Sequence, residues 1–393
     1  MIQESQISKR ILPFIVLSQF LCTSLWFSGN AIINDLIREF NLSSVALSQL
    51  TSSVQLGFIV GTLLFAVFTI TDKFSPVAVF LFCAILGAIS NLGMVMSNHN
   101  LTTLSALRFA TGITLAGIYP VGMKVTADFY TEGLGKSLGY LVGALVLGTA
   151  LPHGLNGIGT TLDWKQLIIA TSILAIIGGL IMRFGVGNGP NRRASQKVDL
   201  FAFFKVFQND KFRSAAFGYF GHMWELYTFW AFVPLMIMAF NNSMSSQPIN
   251  VSLYSFLIIG IGSIGCMLSG IWSMKYGSKK VATYALTISG LCCLVSPILF
   301  YQSSLIIFIL ILLIWGFSVV ADSPLFSTLV AQNAPLESKG TALTIVNCIG
   351  FSLTIFSIQF VNWIQSYIHP EYIYVALAIG PILGLIGFLK TKD

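Results

Sequence analysis

Twelve long apolar runs constrain this sequence more than any other feature. Each has about 20 residues or more, enough to cross a bilayer as a helix. The runs are 11–34, 46–70, 76–97, 101–126, 137–158, 164–184, 213–240, 250–273, 279–300, 303–331, 338–363 and 371–389. A longer polar segment divides them six and six. We predict an all-α integral membrane protein, with an N-terminal six-helix bundle (1–184), a linker (185–212) and a C-terminal six-helix bundle (213–393).

The low charge content excludes a soluble globular protein. Only 9% of the 393 residues are charged, against about 25% in a typical soluble domain. The apolar pattern that follows Lys9 and Arg10 continues to Ile33 without a cleavage site, so we expect the first helix to be retained. The six cysteines lie in apolar runs without metal-ligand spacing. We therefore predict no metal site and no cofactor.

The distribution of positive charge predicts the orientation in the membrane. Of the 21 Lys and Arg residues, eighteen fall on one side of the predicted spans, two (Arg38 and Lys165) on the other, and Arg108 lies within a span. The positive-inside rule then places both termini and the linker in the cytoplasm. The net charge of +7 reflects this topology and not nucleic-acid binding. We expect a multi-pass monomer in the plasma membrane, which is the inner membrane in a Gram-negative cell.

The linker contains one amphipathic stretch, from Asp199 to Gln208. Phe201, Phe204 and Phe207 share one face if this stretch is helical. We predict a short helix lying on the cytoplasmic membrane surface.

The two halves read as repeats of one another. Three patterns recur at offsets of 205, 204 and 202 residues: Glu132-x-x-Gly135-x-x-Leu138 with Glu337-x-x-Gly340-x-x-Leu343, Gly112 and Pro120 with Gly316 and Pro324, and Lys73-Phe-Ser75 with Lys275-Tyr-Gly277. Two parallel six-helix repeats place a central cavity at their interface, where such proteins hold their substrate.

Two loops resemble a signature of the major facilitator superfamily. The loop before run 279–300 contains Gly270, Lys275, Gly277, Lys279 and Lys280, with Met274 where that family has an acid; the loop before run 76–97 keeps Asp72 and Lys73. The resemblance covers essentially the whole chain and implies two pseudo-symmetric six-helix bundles. It also implies that Asp72, Lys73, Gly270, Lys275, Gly277 and Lys279 form cytoplasmic gate loops. The alternative is that these are ordinary cytoplasmic loops, whose lysines follow the positive-inside rule and have no role in gating.

Run 101–126 carries Arg108, Thr111 and Gly112 on one helical face. An arginine followed four residues later by a glycine is similar to a second signature of the same family. A guanidinium cannot lose its charge, so it must find an anion or water. The resemblance implies that Arg108 takes part in proton transfer or substrate handling. The alternative is a structural arginine that binds backbone carbonyls.

Run 213–240 contains His222 and Glu225, three residues apart and therefore on one helical face. An acidic side chain at the centre of a span costs about 2.5–3.5 kcal/mol on insertion scales, so Glu225 should face the protein interior or water. Intramembrane ionisable residues are functional candidates by default. A buried polar pair that only ties helices together is the alternative. Asp322 is the next acid, suited equally to a gating ion pair and to solute contact.

The remaining polar and aromatic residues of the spans are candidates for the cavity wall. Polar stripes along several predicted helices are typical of a water-filled cavity. The predicted wall comprises Gln19, Trp26, Asn30, Arg108, Thr111, Tyr119, Tyr219, Trp315 and Asn347.

These patterns predict a secondary transporter and not an enzyme. Rocking of the bundles would move a small organic solute, possibly an organic anion, with protons as the coupling ion. Burial favours the protonated carboxyl, so we expect Glu225 to carry the proton, with His222 as its modulator, Arg108 as the cationic counterpart and Asp322 as the next candidate. A Gly-x-x-x-x-Gly-Lys-Ser/Thr motif is absent from the sequence, which argues against ATP as the energy source.

Several alternatives remain open on the sequence alone. Arg108 and Asn30 favour uptake of an anion by proton symport. The glycines Gly139 and Gly143 of run 137–158, loosely similar to an antiporter signature, favour export of a drug-like compound by proton antiport. A membrane enzyme would need a catalytic cluster, and a sensor that kept this fold would need a signalling domain; neither is expected.

Overall fold

The computed structural model describes residues 8–130, 134–157, 162–192, 206–243, 248–301, 304–335 and 339–391. The predictions made for Glu132, Glu337, Phe201 and Phe204 fall outside these residues. The described part is all-helical, as the apolar runs predict.

The described part of the N-terminal half contains ten α-helices in chain order. They are α1 (Ile11–Thr23), α2 (Ser28–Ala31), α3 (Ile33–Glu39), α4 (Ala46–Val67), α5 (Ile70–Lys73), α6 (Pro76–Gly93), α7 (Leu101–Ala116), α8 (Tyr119–Phe129), α9 (Leu134–Gly157) and α10 (Trp164–Leu180). A π-helical turn, Ile181–Val186, extends α10.

The C-terminal half repeats the order of long helices. Its members are α11 (Asp210–Ser243), α12 (Val251–Tyr276), α13 (Ser278–Val295), α14 (Ile298–Tyr301), α15 (Leu305–Ala321), α16 (Ser323–Asn333), α17 (Lys339–Ile364), the 3-10 helix Ile373–Ala378 and α18 (Ile379–Phe388).

The helices are apolar and long enough for a bilayer. Within the described residues nine spans have the length and hydropathy to cross a membrane, and the shorter apolar helices Ile11–Thr23 and Ile373–Phe388 add to them. The order of helices is consistent with the twelve spans that the sequence predicts. Large apolar side chains such as Phe82 and Ile306 lie exposed on the outer surface, as lipid-facing residues do.

The bundles meet through two equivalent helix pairs. Helix α9 packs along α12, and α17 packs along α4. An offset of about 204 residues carries α4 onto α12 and α9 onto α17, so the two contacts are related by the repeat predicted from the sequence. At the end of α9 the approach is close: a Cβ added to Gly157 would lie 2.4 Å from the backbone nitrogen of Leu253. Only glycine fits this contact.

Within the described residues, three membrane-spanning helices are interrupted near the polar groups of interest. Residues between Thr23 and Ser28 separate α1 from α2, Gly117 and Ile118 separate α7 from α8, and Asp322 separates α15 from α16. Pro120 and Pro324 lie in the first turn after two of these breaks, where proline's missing N–H costs no hydrogen bond. Breaks in a span are tolerated where protein groups satisfy the freed backbone, and they position the polar groups described below.

Candidate functional site

A cavity of about 600 Å³ lies between the two bundles. Its polar and aromatic lining comes from both halves: Thr62, Tyr119 and Lys124 from the first, and Tyr219, Tyr227, Ser323, Ser327, Thr328, Gln332, Thr344, Asn347 and Phe351 from the second. Lys124, Gln332 and Thr344 belong to the helix ends on the side of the basic loops. The cavity therefore lies in the basic-loop half of the membrane span.

An aromatic layer, made of Trp26, Phe58, Tyr227 and Phe351, closes the other end of the cavity. The Trp26 ring stacks on Tyr227 (centroids 5.6 Å apart) and Phe351 (5.9 Å), and Phe58 lies 4.3 Å from Phe351. Two of these rings come from each bundle, so the layer joins the halves across the middle of the protein.

Polar contacts continue this closure beyond the aromatic layer. Gln359 on α17 donates to the Ser52 hydroxyl on α4 at 2.8 Å and to the Ser48 carbonyl at 3.2 Å. Asn250 donates to the Gly157 carbonyl at 3.1 Å, and Asn156 donates to the Ser252 hydroxyl at 3.2 Å. The bundles are thus joined at the side away from the basic loops.

Three of the predicted cavity residues line the cavity. They are Tyr119, Tyr219 and Asn347. The Tyr219 hydroxyl donates to Asn347 Oδ1 at 2.8 Å, which links α11 to α17. Trp26 lies in the aromatic layer at the closed end.

The other predicted wall residues are buried in helix contacts elsewhere. Gln19 lies against Gly122, Asn30 donates to the Thr51 hydroxyl at 2.8 Å, and Thr111 donates to its own helix at the Leu107 carbonyl. Trp315 and Arg108 take part in the two polar clusters described next. Each of these side chains packs within its own bundle. The prediction that they line the cavity was wrong because polar periodicity identifies a buried helical face but not the surface that this face contacts.

Lys124 lines the cavity, although the sequence predicts for it only a place among the basic residues on one side of the membrane. Its ammonium lies 2.5 Å from Asp72 Oδ1, and both side chains are mostly buried. Arg192 donates to the backbone carbonyls of Asp72 and Phe74 at 2.8 Å. The available signal was the spacing of Lys124 one turn beyond Pro120, since it puts both residues on one helical face, and both line the cavity.

The predicted gate residues lie in two separate loops. Asp72 and Lys73 end α5 beside Lys124, whereas Lys275 lies over the Tyr276 ring at 5.1 Å and Lys279 donates to the Thr391 carbonyl. Gly277 has a φ of 85°, a left-handed conformation that glycine adopts without strain. Gly270 lies against α9, where an added Cβ would be 3.6 Å from the Gly135 carbonyl.

Glu225 is buried inside the C-terminal bundle and receives three hydrogen bonds. Trp315 Nε1 donates to Oε1 at 2.6 Å, Ser289 Oγ donates to Oε2 at 2.9 Å and Cys293 Sγ donates to Oε1 at 3.2 Å. The carboxyl group is 1% exposed. Its partners come from α13 and α15, and Phe229 stacks on the Trp315 ring at 4.6 Å. Among the described residues, the partners in this cage are all neutral donors.

An ionisable pair includes His222, which lies one helical turn before Glu225 on α11. His222 Nδ1 is 2.8 Å from Asp322 Oδ1, and neither side chain has any exposed surface. Asp322 occupies the break between α15 and α16. An imidazole balances a carboxylate only when it carries a proton. The pair therefore changes net charge when it gains or loses one.

Glu225, His222 and Asp322 together form the carboxyl cluster of the C-terminal bundle. In the described part of the chain no lysine or arginine pairs with either carboxyl group. The structure does not bring Arg108 to this cluster.

Arg108 is buried at the break in the first span of the N-terminal bundle. Its guanidinium donates to the Leu25 carbonyl at 3.0 Å, to Ser28 Oγ at 3.1 Å and to the Trp26 carbonyl. Ser28 in turn donates to Asn91 Oδ1 at 2.7 Å. The arginine satisfies backbone carbonyls that the break between α1 and α2 frees, which is the structural alternative considered from the sequence.

Two helical bundles with repeated order, a cavity between them and buried ionisable groups in the spans define a multi-pass membrane transport protein. The Major Facilitator Superfamily model matches residues 15–359, and the chain belongs to that superfamily. A search of curated proteins finds no significant match.

Solved structures of two transporters share the fold. The proton:xylose symporter XylE bound to 6-bromo-6-deoxy-D-glucose superposes with a TM-score of 0.74 at 14% identity, covering 96% of this chain and 94% of that one. A mutant of the nucleoside transporter NupG superposes with a TM-score of 0.71 at 14% identity, covering 96% and 99%. At this identity the likeness establishes the fold alone.

Proposed function

We propose that this superfamily member is a secondary active transporter that moves a small organic solute by alternating access. The observation that carries the proposal is the cavity, which lies toward the basic-loop side and is closed on the other side by the aromatic layer. If the basic loops are cytoplasmic, this is an inward-facing state. Rocking of the bundles about α9–α12 and α4–α17 would open the opposite side.

The cavity lining favours a solute with a planar or apolar face and several hydrogen-bonding groups. Tyr119, Tyr227 and Phe351 offer aromatic surfaces, while Asn347 and Gln332 offer both donors and acceptors. Lys124 is the cationic residue of the lining, but its ammonium is paired with Asp72 and is therefore less able to bind an anionic solute. These contacts support a neutral polar solute over the organic anion considered from the sequence.

Protons are the coupling ion that best fits the carboxyl cluster. Glu225 would bind the proton in its cage of neutral donors, and the His222–Asp322 pair would respond to it through charge. Release requires the cage to loosen when α13 and α15 move against α11. Arg108 supports the cavity from behind the aromatic layer and does not exchange protons in this proposal.

The test is transport by purified protein in liposomes under an imposed pH gradient. A panel of sugars, nucleosides and amphipathic drugs should contain a solute whose accumulation depends on the gradient, and its direction separates symport from antiport. No gradient-dependent flux across the panel, with the solutes nevertheless binding, would contradict proton coupling. Because one chain encloses the whole cavity, the protein should be active as a monomer.

The orientation of the chain gives a separate prediction. Asn191 bonds through its backbone N–H to the Asp128 carbonyl on the basic-loop side. A cysteine introduced at Asn191 should react with an impermeant maleimide only when the cytoplasmic face is open to the reagent. A cysteine at Ser43, at the start of α4, serves as the control for the other face. Labelling of Asn191→Cys from outside intact cells would reverse the orientation.

The glycine contact between α9 and α12 predicts a way to change the conformation. Gly157→Val would place a side chain where even a Cβ is 2.4 Å from the Leu253 backbone. The state that is closed on the side away from the basic loops should then be disfavoured. A cysteine introduced at Gln359 should therefore become more accessible to labelling, and transport should fall. Gly340→Val is the matched control, because a Cβ there meets nothing within 4 Å and Gly340 does not line the central cavity. Unchanged accessibility at Gln359 would show that this contact does not hold the closed side together.

A further inference from the structure

A second large cavity, the lateral groove, lies on the outer surface of the C-terminal bundle. It has a volume of about 760 Å³ and lies between α12, α13 and α15. Trp272, Tyr276, Tyr284 and Ile314 line it and are exposed, so the groove opens toward the lipid and away from the central cavity. Its wall is almost wholly apolar apart from one end.

That end carries positive charge on the basic-loop side of the membrane. Lys280 lines the groove, and Lys275 lies over the neighbouring Tyr276 ring. Segment 270–280 contains three lysines and no acid, because Met274 stands where the family signature has one. Among the described residues neither Lys275 nor Lys280 has an ion-pair partner. The charge therefore faces the membrane surface, with no neutralising acid among the residues that the structure describes.

The shape of the groove fits a hydrocarbon chain that starts at this end. On α12 alone the lining extends from Ile261 to Tyr276, about 22 Å at 1.5 Å per residue. One leaflet of the hydrocarbon core is about 15 Å thick, so an acyl chain can lie in the groove along its whole length. Trp272 and Tyr276 sit near the charged end, as interfacial aromatic residues do.

We propose that the lateral groove binds one anionic glycerophospholipid, with its phosphate at Lys280 and Lys275 and an acyl chain against α15. The charge complementarity at one end and the apolar wall beyond it select this occupant over a neutral lipid. The floor of the groove includes Ser318, one turn from the Trp315 that donates to Glu225. A bound acyl chain would pack against α15 and stabilise the helix that carries Trp315.

Fluorescence quenching by brominated lipids tests this site directly and requires no transported solute. Trp272 emission is isolated by subtracting the signal of a Trp272→Phe variant in vesicles of phosphatidylcholine containing a small fraction of brominated lipid. Brominated phosphatidylglycerol should quench Trp272 at a mole fraction at least about threefold lower than brominated phosphatidylcholine does. Lys275→Gln with Lys280→Gln should remove this difference, whereas Lys136→Gln, an exposed lysine of the other bundle, should preserve it.

Three outcomes would overturn the proposal. Equal quenching by the two lipids means that the groove holds bulk lipid without headgroup selection. A preference that survives the double lysine substitution places the anionic headgroup elsewhere. The absence of quenching by either lipid means that protein, such as a second copy of this chain, covers the groove. All three leave the transport proposal intact, because they concern only the outer surface.

Discussion

Replacing Glu225 by glutamine should abolish pH-gradient-driven accumulation while solute exchange continues. Glutamine keeps the size of the side chain, and its carbonyl oxygen can still accept from Trp315 while its NH2 group donates to the Ser289 hydroxyl, but it is permanently neutral. Bundle rocking would no longer depend on a proton, so accumulation should fall to background whereas counterflow should remain within about threefold of the unmodified protein. Both fluxes are measured in the same liposomes.

The control for this substitution is Glu39→Gln. Glu39 is an exposed acid that lies 3.9 Å from Lys165, and its replacement should change neither flux. If Glu225→Gln still concentrates solute against its gradient, Glu225 is not the proton carrier and Asp322 is the next candidate. Loss of both accumulation and counterflow would instead assign the carboxyl cage to structure.

Replacing Arg108 by alanine should abolish transport together with a large loss of stability. The substitution leaves the Leu25 and Trp26 carbonyls and the Ser28 hydroxyl without their donor inside the protein. Each buried polar group left unsatisfied costs about 1–3 kcal/mol, so the total loss should exceed about 2 kcal/mol even if water enters. Arg108→Lys should rescue poorly, since an ammonium cannot reproduce the planar fork.

Thermal unfolding in detergent measures this effect beside transport. Arg38→Ala is the matched control, because Arg38 is exposed and its ion pair in the described part of the chain is with Asp35, three residues earlier. An Arg108→Ala protein that unfolds at the normal temperature yet does not transport would contradict the structural role. That result would instead favour a role for Arg108 in proton transfer or substrate handling, as the family resemblance implies.

The fold could be predicted from the sequence because it depends on coarse features. Apolar runs, charge asymmetry and an internal repeat act over many residues, so errors at single positions do not matter. The spacing of Gly112 and Pro120 with Gly316 and Pro324 predicted equivalent helices, and the structure places a break just before each proline. The family match then agrees with the predicted architecture.

The site was harder to predict because a polar residue does not reveal which bundle it faces. Glu225 and Asp322 were chosen as buried acids, but their neighbours Ser289 and Cys293 come from a helix whose register the sequence does not give. Arg108 was assigned as a counterpart of Glu225, yet its partners are freed carbonyls at a helix break that periodicity cannot reveal. The roles proposed for these residues remain predictions.

The difference between the halves explains why the repeat alone does not locate the chemistry. The break after α7 has Ile118 where the break after α15 has Asp322, an offset of 204 residues. The first half uses Arg108 to satisfy carbonyls at another break, the one between α1 and α2, whereas the second half carries the carboxyl cluster. Related backbones thus hold different polar groups, and only side-chain contacts distinguish them.

The most direct test of alternating access is a distance measurement between spin labels at or just beyond the ends of the two interface helices α4 and α17. One pair, Thr69→Cys with Gly340→Cys, reports on the basic-loop side, and the other, Ser43→Cys with Ser366→Cys, reports on the opposite side, both in a Cys348→Ser background. On addition of solute at low pH the first distance should shorten while the second lengthens. Two distances that stay fixed, or that change in the same direction, would contradict the account.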